Sequence, residues 1–331
     1  MTTGTIAEAT GAPAGLRPAP AARGRTAVEA FLGWRWAEPA VALLGFGALS
    51  LVVLTKATAL LEPDDYAYRA SIVALAHGQV LLTTAQYQAL AHQLGSGTGI
   101  VQWVHLPDGR WISEKNPGYP FFAVVFSVLG VLRLAPLFYG GLASGALYLG
   151  ARRWLGRWAG AAAVLLFCTS GAAITFAWRA TMPTFTDASL VATGAGLLLW
   201  AMLAAEASRR RRTGAGLGAF LALEAATSIR YTDVTELVVA ILAVLVFARR
   251  AGVDRRMLSW WAASVALFAG GVLVFDTLVY GAPLRTGYGA GEITFSLSAL
   301  WPNLLHMPAP LVEAMPMALL AAVGAGGTAL R

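Results

Sequence analysis

Five short stretches of this sequence hold residues able to do chemistry. Glu62, Asp64 and Asp65 put three carboxylates within four positions; Glu114-Lys115 sets an acid beside a lysine; Asp187 follows Thr184-Phe185-Thr186; Arg230 and Asp233 lie three apart; and Arg285 follows Pro283-Leu284. A carboxylate within hydrogen-bond reach of a hydroxyl can take its proton. Two carboxylates from separate segments can hold Mg or Mn through oxygen. Lysine and arginine can hold an anionic group and stabilise negative charge on it. Together these residue types suit a site that handles an anionic substrate, with a metal or with a carboxylate base. The residue types do not choose between the two.

These residues are set in an unusual chain. Of 331 residues, 57% are hydrophobic and only 12% charged, which describes a polytopic membrane protein built from helices. The run Pro39 to Leu61 carries one charge, Lys56, and can cross a hydrocarbon core of about 30 Å. Three carboxylates at the mouth of such a helix are costly to desolvate, which favours a task for them. The plainer reading is a helix start, with Pro63 at its first position and acids facing its N-terminal dipole. The net charge of +7 comes almost wholly from arginine, since Lys56 and Lys115 are the only lysines. Those arginines cluster between apolar runs as topology signals, which excludes a nucleic-acid surface. A single cysteine, Cys168, excludes an intrachain disulfide framework and reads as a small buried hydrophobe.

Residues 1 to 37 read as a disordered tail, and 38 to 331 as one transmembrane domain. Positive charge before the first span puts the N-terminus inside and the Glu62/Asp64/Asp65 group outside. The clusters Arg152-Arg153…Arg157, Arg209 to Arg212 and Arg249-Arg250…Arg255-Arg256 are expected inside as well. Spans then fall at about 39–61, 158–177, 188–206, 215–229, 234–248 and 258–279. One parity problem remains between Pro117 and Gly150, where two apolar runs stand but one crossing is allowed. Making Tyr119 to Leu132 a juxtamembrane or re-entrant helix, and Pro136 to Gly150 the true second span, resolves it. The chain ends inside an apolar run that begins near Ala314, as a truncated bundle would.

The first outer segment, 62 to 117, is too long for a connector. Tyr68, Ile72, Leu75 and Ala76 recur at helical spacing between Asp64 and His77, predicting an amphipathic surface helix. A second helix is expected over about Thr84 to Leu94. Val101–His105 and Arg110–Ser113 flank Pro107-Asp108-Gly109, a β-hairpin signal.

On this topology the charged residues outside the arginine clusters converge on the outer side: Glu62, Asp64, Asp65, Arg69, Glu114, Lys115, Arg179, Asp187, Arg230, Asp233 and Arg285, with Lys56 nearby. Glu62-Pro63-Asp64-Asp65-Tyr66-Ala67-Tyr68 resembles the motif that opens the first outer loop of GT-C glycosyltransferases, in the branch of protein mannosyltransferases and lipid A aminoarabinose transferases (glycosyltransferase family 39-like). Glu114-Lys115-Asn116-Pro117-Gly118-Tyr119 resembles that branch's Glu-Lys-Pro-x-x-Gly-Tyr segment, Ala151 to Arg157 its basic inner loop, and Thr184 to Asp187 its second acidic motif. Tyr280 to Gly289 is similar to a loop of related bacterial membrane enzymes. The likeness spans about residues 39 to 290. Asp65 stands where the branch has Glu, and Asn116 separates Lys115 from its proline.

The resemblance implies a GT-C helix bundle that moves a sugar from a polyprenyl-phosphate donor to a lipid, glycan or protein acceptor, at the outer face of a bacterial plasma membrane. It implies Asp64 as catalytic carboxylate or metal ligand, with Asp65 beside it, Asp187 as the second acid and metal ligand for Mg or Mn, and Lys115 on the donor phosphate. Glu114, Arg230 and Tyr68 are further substrate-binding candidates. Plainer roles stand beside these: Asp187 capping a helix, Lys115 and Lys56 snorkelling, Arg230 pairing with Asp233, Trp103 and Trp111 in an interfacial belt or stacking on a sugar, the histidines on the surface. Asp276 is expected to make a buried polar contact. A transporter of lipid-linked sugar, marked by ionisable residues in mid-span, and a non-catalytic carrier-binding subunit are the rival functions.

Overall fold

The computed structural model describes residues 34–57, 60, 62–97, 99–288 and 297–309. Most of the expected N-terminal tail and the apolar run from Ala314 lie outside these residues. The chain divides into Met1–Ala37 and Glu38–Arg331, and the second unit holds the helix bundle.

The protein is mostly helical. Four helices are long and apolar enough to cross a membrane: α1 (Ala37–Thr55), the stretch Leu132–Leu155 whose main part is α5 (Ala135–Leu155), α8 (Thr184–Leu203) and α11 (Arg255–Tyr280). Between them run α2 (Pro63–Ala76), α3 (Thr84–Gln93), the strands β1 (Trp103–His105) and β2 (Trp111–Ser113), and α4 (Gly118–Val128). Further along come α6 (Arg157–Cys168), α7 (Gly171–Phe176), α9 (Arg209–Ile229), α10 (Val234–Phe247) and α12 (Leu297–His306). Leucines and valines stand bare on α1, α10 and α11, among them Leu44, Val239 and Leu267. Bare apolar faces on several long helices are what a hydrocarbon solvent asks for.

Small residues set the core. α5 and α8 run parallel, with Gly140 against the Phe185 ring near one end and Gly150 against Gly196 near the other. A Cβ on Gly150 would stand 2.5 Å from the Gly196 carbonyl oxygen, so the two backbones touch. Contact this close lets dispersion and buried hydroxyls bind helices where lipid removes the usual hydrophobic drive. α9 returns antiparallel to α8: Arg212 Nε donates to the Ala201 carbonyl at 2.9 Å, and Arg230 Nη2 to Thr184 Oγ1 at 2.9 Å. α11 runs parallel to α9 through three polar points: Trp261 Nε1 to the Thr213 carbonyl (3.1 Å), Ser264 Oγ to Glu224 Oε1 (2.9 Å), and the Tyr231 hydroxyl to Asp276 Oδ1 (3.5 Å).

The bundle therefore has two ends. One gathers the arginine clusters; the other gathers the start of α2, the starts of α4 and α8, and the ends of α9 and α11. The two apolar runs between Pro117 and Gly150 form separate helices, α4 and then, after a 3-10 turn at Leu132–Leu134, α5. Arg133 on that turn donates twice to the Val53 carbonyl, at 2.9 and 2.6 Å, and covers the open carbonyls ending α1.

Three expectations on helices change. The span placed at 158–177 is two helices, α6 and α7, because Thr169 and Ser170 turn their hydroxyls back on the Leu165 and Phe167 carbonyls and Ser170 Oγ caps the Ala173 amide. The cluster Arg209 to Arg212 forms the first turn of α9 and not a loop. Arg212, read as a topology signal, is buried and donates to the Ala201, Ala251 and Gly252 carbonyls, so its charge ties three chain segments together.

The segment 62–117 folds on itself. Asp65 Oδ2 accepts from the Glu62 amide (3.1 Å), which fixes the start of α2 after Pro63 at its first position. Thr83 and Gln86 cap α3 reciprocally. β1 and β2 pair antiparallel, Val104 opposite Ile112, and Trp111 also bridges to Leu82. Trp111 stacks flat on Tyr87 at 4.1 Å and Trp103 is buried beside it, so both tryptophans belong to the loop's own core and not to a sugar-stacking wall. Cys168 is buried, its sulfur 3.5 Å from Ser144 Oγ.

Candidate functional site

A cleft of about 770 Å³ opens at the end of the bundle away from the arginine clusters. Its walls are the first turns of α2, the hairpin at 104–107, the segment 115–116, the end of α9 with the 3-10 turn after it, and the loop after α11. Asp64, Tyr68, Lys115, Arg230, Arg285 and Tyr288 all face it.

Asp64 and Asp65 are consecutive on α2, so their side chains leave the helix about 100° apart. The results are opposite. Asp64 faces the cleft with its side chain a third exposed; Gln102 Nε2 donates to its Oδ1 at 2.7 Å, and Lys115 Nζ stands 3.3 Å from the same oxygen. Asp65 is wholly enclosed, with Arg179 Nη2 on its Oδ2 at 2.5 Å and the Thr181 hydroxyl on its Oδ1 at 2.9 Å. Arg179 also reaches Glu62 Oε1 at 3.1 Å. Asp65 and Glu62 thus lash α2 to the segment before α8, and neither lines the cleft.

Sequence alone does not single out Gln102, and its backbone is its signal: φ is +68°, in the left-handed region that a residue with a side chain seldom adopts. Strain of this kind persists where the surroundings over-determine it. Here it turns the Gln102 amide onto Asp64.

Lys115 has little solvent contact. Its ammonium lies 3.8 Å from Glu114 Oε1 and 5.4 Å from the Tyr288 ring centre. The loop after α11 lies close over it because Gly287 has no side chain: a Cβ there would stand 2.6 Å from Glu114 Cα. Burial raises the Tyr288 phenol, with Lys115 pulling the other way. Burial likewise drives the Tyr68 phenol far above its ordinary value, helped by Tyr288, Asp64 and Asp187 and opposed by Arg230. Both phenols therefore stay protonated at the cleft wall.

Asp187 sits behind this wall. Arg230 Nε stands 3.5 Å from its Oδ2, and Asp233 lies within hydrogen-bonding reach. The expected Arg230–Asp233 pairing gives way to this arrangement, in which Asp187 aims Arg230. Arg285 also lines the cleft and has no ion-pair partner among the described residues. Arg69 and Lys56 do not line it. His105 reaches the rim.

A Mg or Mn ion shared by Asp64 and Asp187 is a poor fit to these residues. The Asp64 oxygen is already held by an amide donor and an ammonium, whose charge opposes a cation. Among the described residues no group of three or more His, Cys, Asp or Glu side chains is placed to bind a metal. The donors instead suit a carboxylate working beside a lysine.

No family model, no curated protein and no solved structure matches this chain.

Not every charge converges on the cleft. Glu38 is fully enclosed at the opposite end, with Arg152 Nη1 at 2.8 Å and Arg157 Nε at 2.9 Å. Arg209 pairs there with Asp254 at 2.8 Å, and Arg153 with Glu206. Glu224 is buried in the last third of α9 on Ser264, and Asp276 is buried on Tyr231, the polar contact expected for it.

Proposed function

We propose that this protein is a membrane glycosyltransferase of GT-C type, taking its sugar from a polyprenyl-phosphate carrier at the outer face of a bacterial plasma membrane, with its N-terminus in the cytoplasm. One observation carries the reading: an open carboxylate, Asp64, faces a cleft that also holds Lys115, Arg230 and Arg285, at one end of a membrane-type bundle. Asp64 takes the proton of an acceptor hydroxyl, whose oxygen attacks the sugar's anomeric carbon as the carbon–oxygen bond to phosphate breaks. The lipid phosphate leaves with the bonding electron pair, and the lysine and arginines hold its charge. Gln102 keeps Asp64 oriented. Asp65, Glu62 and Arg179 position the helix that carries it, and Asp187 positions Arg230. No metal enters this scheme.

The test is Asp64→Asn in membranes supplied with a polyprenyl-phosphate sugar. Transfer lost with carrier binding retained supports catalysis; transfer retained removes the reading. A second reading, transport of a lipid-linked sugar, is favoured by one fact, the buried carboxyl of Glu224 within α9. Glu224→Gln separates the two, because transport through the bundle would stop while transfer in the cleft would continue.

A further inference from the structure

We infer that Arg69 and Arg133 form a second anion site, on the flank of α2 turned away from the cleft, for the phosphate group of a membrane lipid. A cavity of about 360 Å³ lies there between α2, the turn before α5 and the segment before α8. Arg69, Gly130, Leu132, Arg133, Ala180 and Thr181 line it, and no acid does among the described residues. Tyr68 and Arg69 are consecutive on α2, so their side chains leave the helix about 100° apart. Tyr68 faces the cleft and Arg69 the other cavity. This site needs no sugar transfer in the cleft and would serve a transporter equally.

Both cations lack a counter-charge. Asp65 stands four residues before Arg69, the spacing at which an acid and an arginine pair on a helix. It is held instead by Arg179 and the Thr181 hydroxyl, and Glu62 also goes to Arg179. Arg69 is left with no hydrogen bond or ion pair among the described residues. Arg133 gives Nε and Nη2 to the Val53 and Lys56 carbonyls, which fix the guanidinium without neutralising it, and its Nη1 stays free. Thr181 spends its proton on Asp65, so the two guanidiniums are the side-chain donors of this cavity. Planar forks of this kind match the oxygens of a phosphate. Neither arginine belongs to the clusters that act as topology signals, so that account does not cover them.

Position favours a lipid as the source of the phosphate. Arg133 binds the last carbonyls of α1, where that helix ends, and polar headgroups lie at the ends of spans. Leu129, Val131 and Leu134 stand exposed around Gly130 and Leu132, an apolar rim that acyl chains would cover. Arginines that only snorkel to the interface would meet headgroups without selecting one. Two unpaired guanidiniums over one cavity select a headgroup with net negative charge.

Binding of dihexanoyl phosphatidylglycerol, dihexanoyl phosphatidylcholine and inorganic phosphate would be measured on the full chain in an uncharged detergent. Phosphatidylglycerol should bind tighter than phosphatidylcholine, whose phosphate is offset by its choline. Arg69→Gln should weaken phosphatidylglycerol roughly tenfold by removing a charge-assisted contact. Arg249→Gln, which removes the same charge from an exposed position at the arginine end, should leave it unchanged. A second measurement depends on no variant: phosphatidylglycerol should shield Arg69 of the unaltered protein from phenylglyoxal, read by peptide mass spectrometry, while Arg249 reacts throughout. Inorganic phosphate bound as tightly as phosphatidylglycerol, and weakened alike by Arg69→Gln, would overturn the lipid source and give the cavity to a free phosphate. Phosphatidylglycerol bound equally by Arg69→Gln, with Arg69 modified at the same rate in its presence and absence, would overturn the site. So would a failure of the unaltered protein to bind either phosphate.

Discussion

The two ends of this bundle are both rich in charge and use it differently. At the arginine end, Glu38 is closed between Arg152 and Arg157, Arg209 on Asp254 and Arg212 on three carbonyls, while Arg210, Arg211, Arg249 and Arg256 stand exposed and do not border the cleft. At the cleft end, Asp64, Lys115, Arg230 and Arg285 all border a cavity large enough for a ligand, and Arg285 has no ion-pair partner among the described residues. Charge density alone does not mark a site; charge facing an open volume does. The contrast recurs within α2, where Asp64 faces the cavity and Asp65 is sealed under Arg179.

The sharpest way to break the comparison is to neutralise one acid at each end. Asp64→Asn should lower transfer by roughly 10²- to 10⁴-fold, the usual span for loss of a general base. Glu38→Gln should leave transfer within about twofold while thermal stability falls. Equal losses of transfer in the two variants would mean that the cleft end has no special role.

The neighbouring acid gives the next largest effect. Asp65→Ala leaves buried Arg179 with the exposed Glu62 as its one remaining carboxylate, and breaking a buried pair by removing one member costs up to about 3–5 kcal/mol. Unfolding in detergent should show that loss, and the fraction of protein that remains folded should still bind the carrier. A third variant addresses the scaffold shared by both ends. A side chain at Gly196 would strike the Ala146 backbone, so Gly196→Leu should cost about 1–3 kcal/mol through forced separation of α5 and α8. Because α8 carries Asp187 at one end and abuts the arginine end at the other, both ends should loosen together in hydrogen exchange.

Much of the cleft's frame is legible in the sequence because its signals are local. Pro63, the Thr83/Gln86 cap and Pro107-Asp108-Gly109 mark α2, α3 and the hairpin within a few residues, and arginine parity separates α4 from α5. Asp65, expected beside Asp64 as a catalytic acid, is instead sealed from the cleft; its place three residues before Tyr68 and seven before Ile72, on the buried stripe, is the signal that the motif obscured. What the sequence hides depends on distant partners. Arg133, Arg179 and Arg212 look like any other arginine until the Val53 carbonyl, Asp65 and the Ala201 carbonyl are brought to them. The break after Cys168 is hidden for another reason: hydroxyls also bond back inside helices that continue unbroken, as those of Ser189 and Thr193 do in α8. Glu224 is hard to read because its neighbours are apolar and its partner, Ser264, stands 40 residues away.

The smallest expected effect on stability tests the finest part of the contrast, the strained Gln102 that aims Asp64. Gln102→Gly relieves a left-handed backbone conformation that costs a residue with a side chain roughly 1–2 kcal/mol. Against this, glycine adds freedom to the unfolded chain worth about 0.5–1 kcal/mol, and the lost hydrogen bond to Asp64 removes about 0.5–1.5 kcal/mol. The terms nearly cancel, so the unfolding midpoint should stay close to that of the unaltered protein. Transfer should still fall several-fold, because Asp64 would then be oriented by Lys115 alone. Stability raised by more than about 1 kcal/mol with transfer intact would show that the strain serves the loop fold and not the carboxylate.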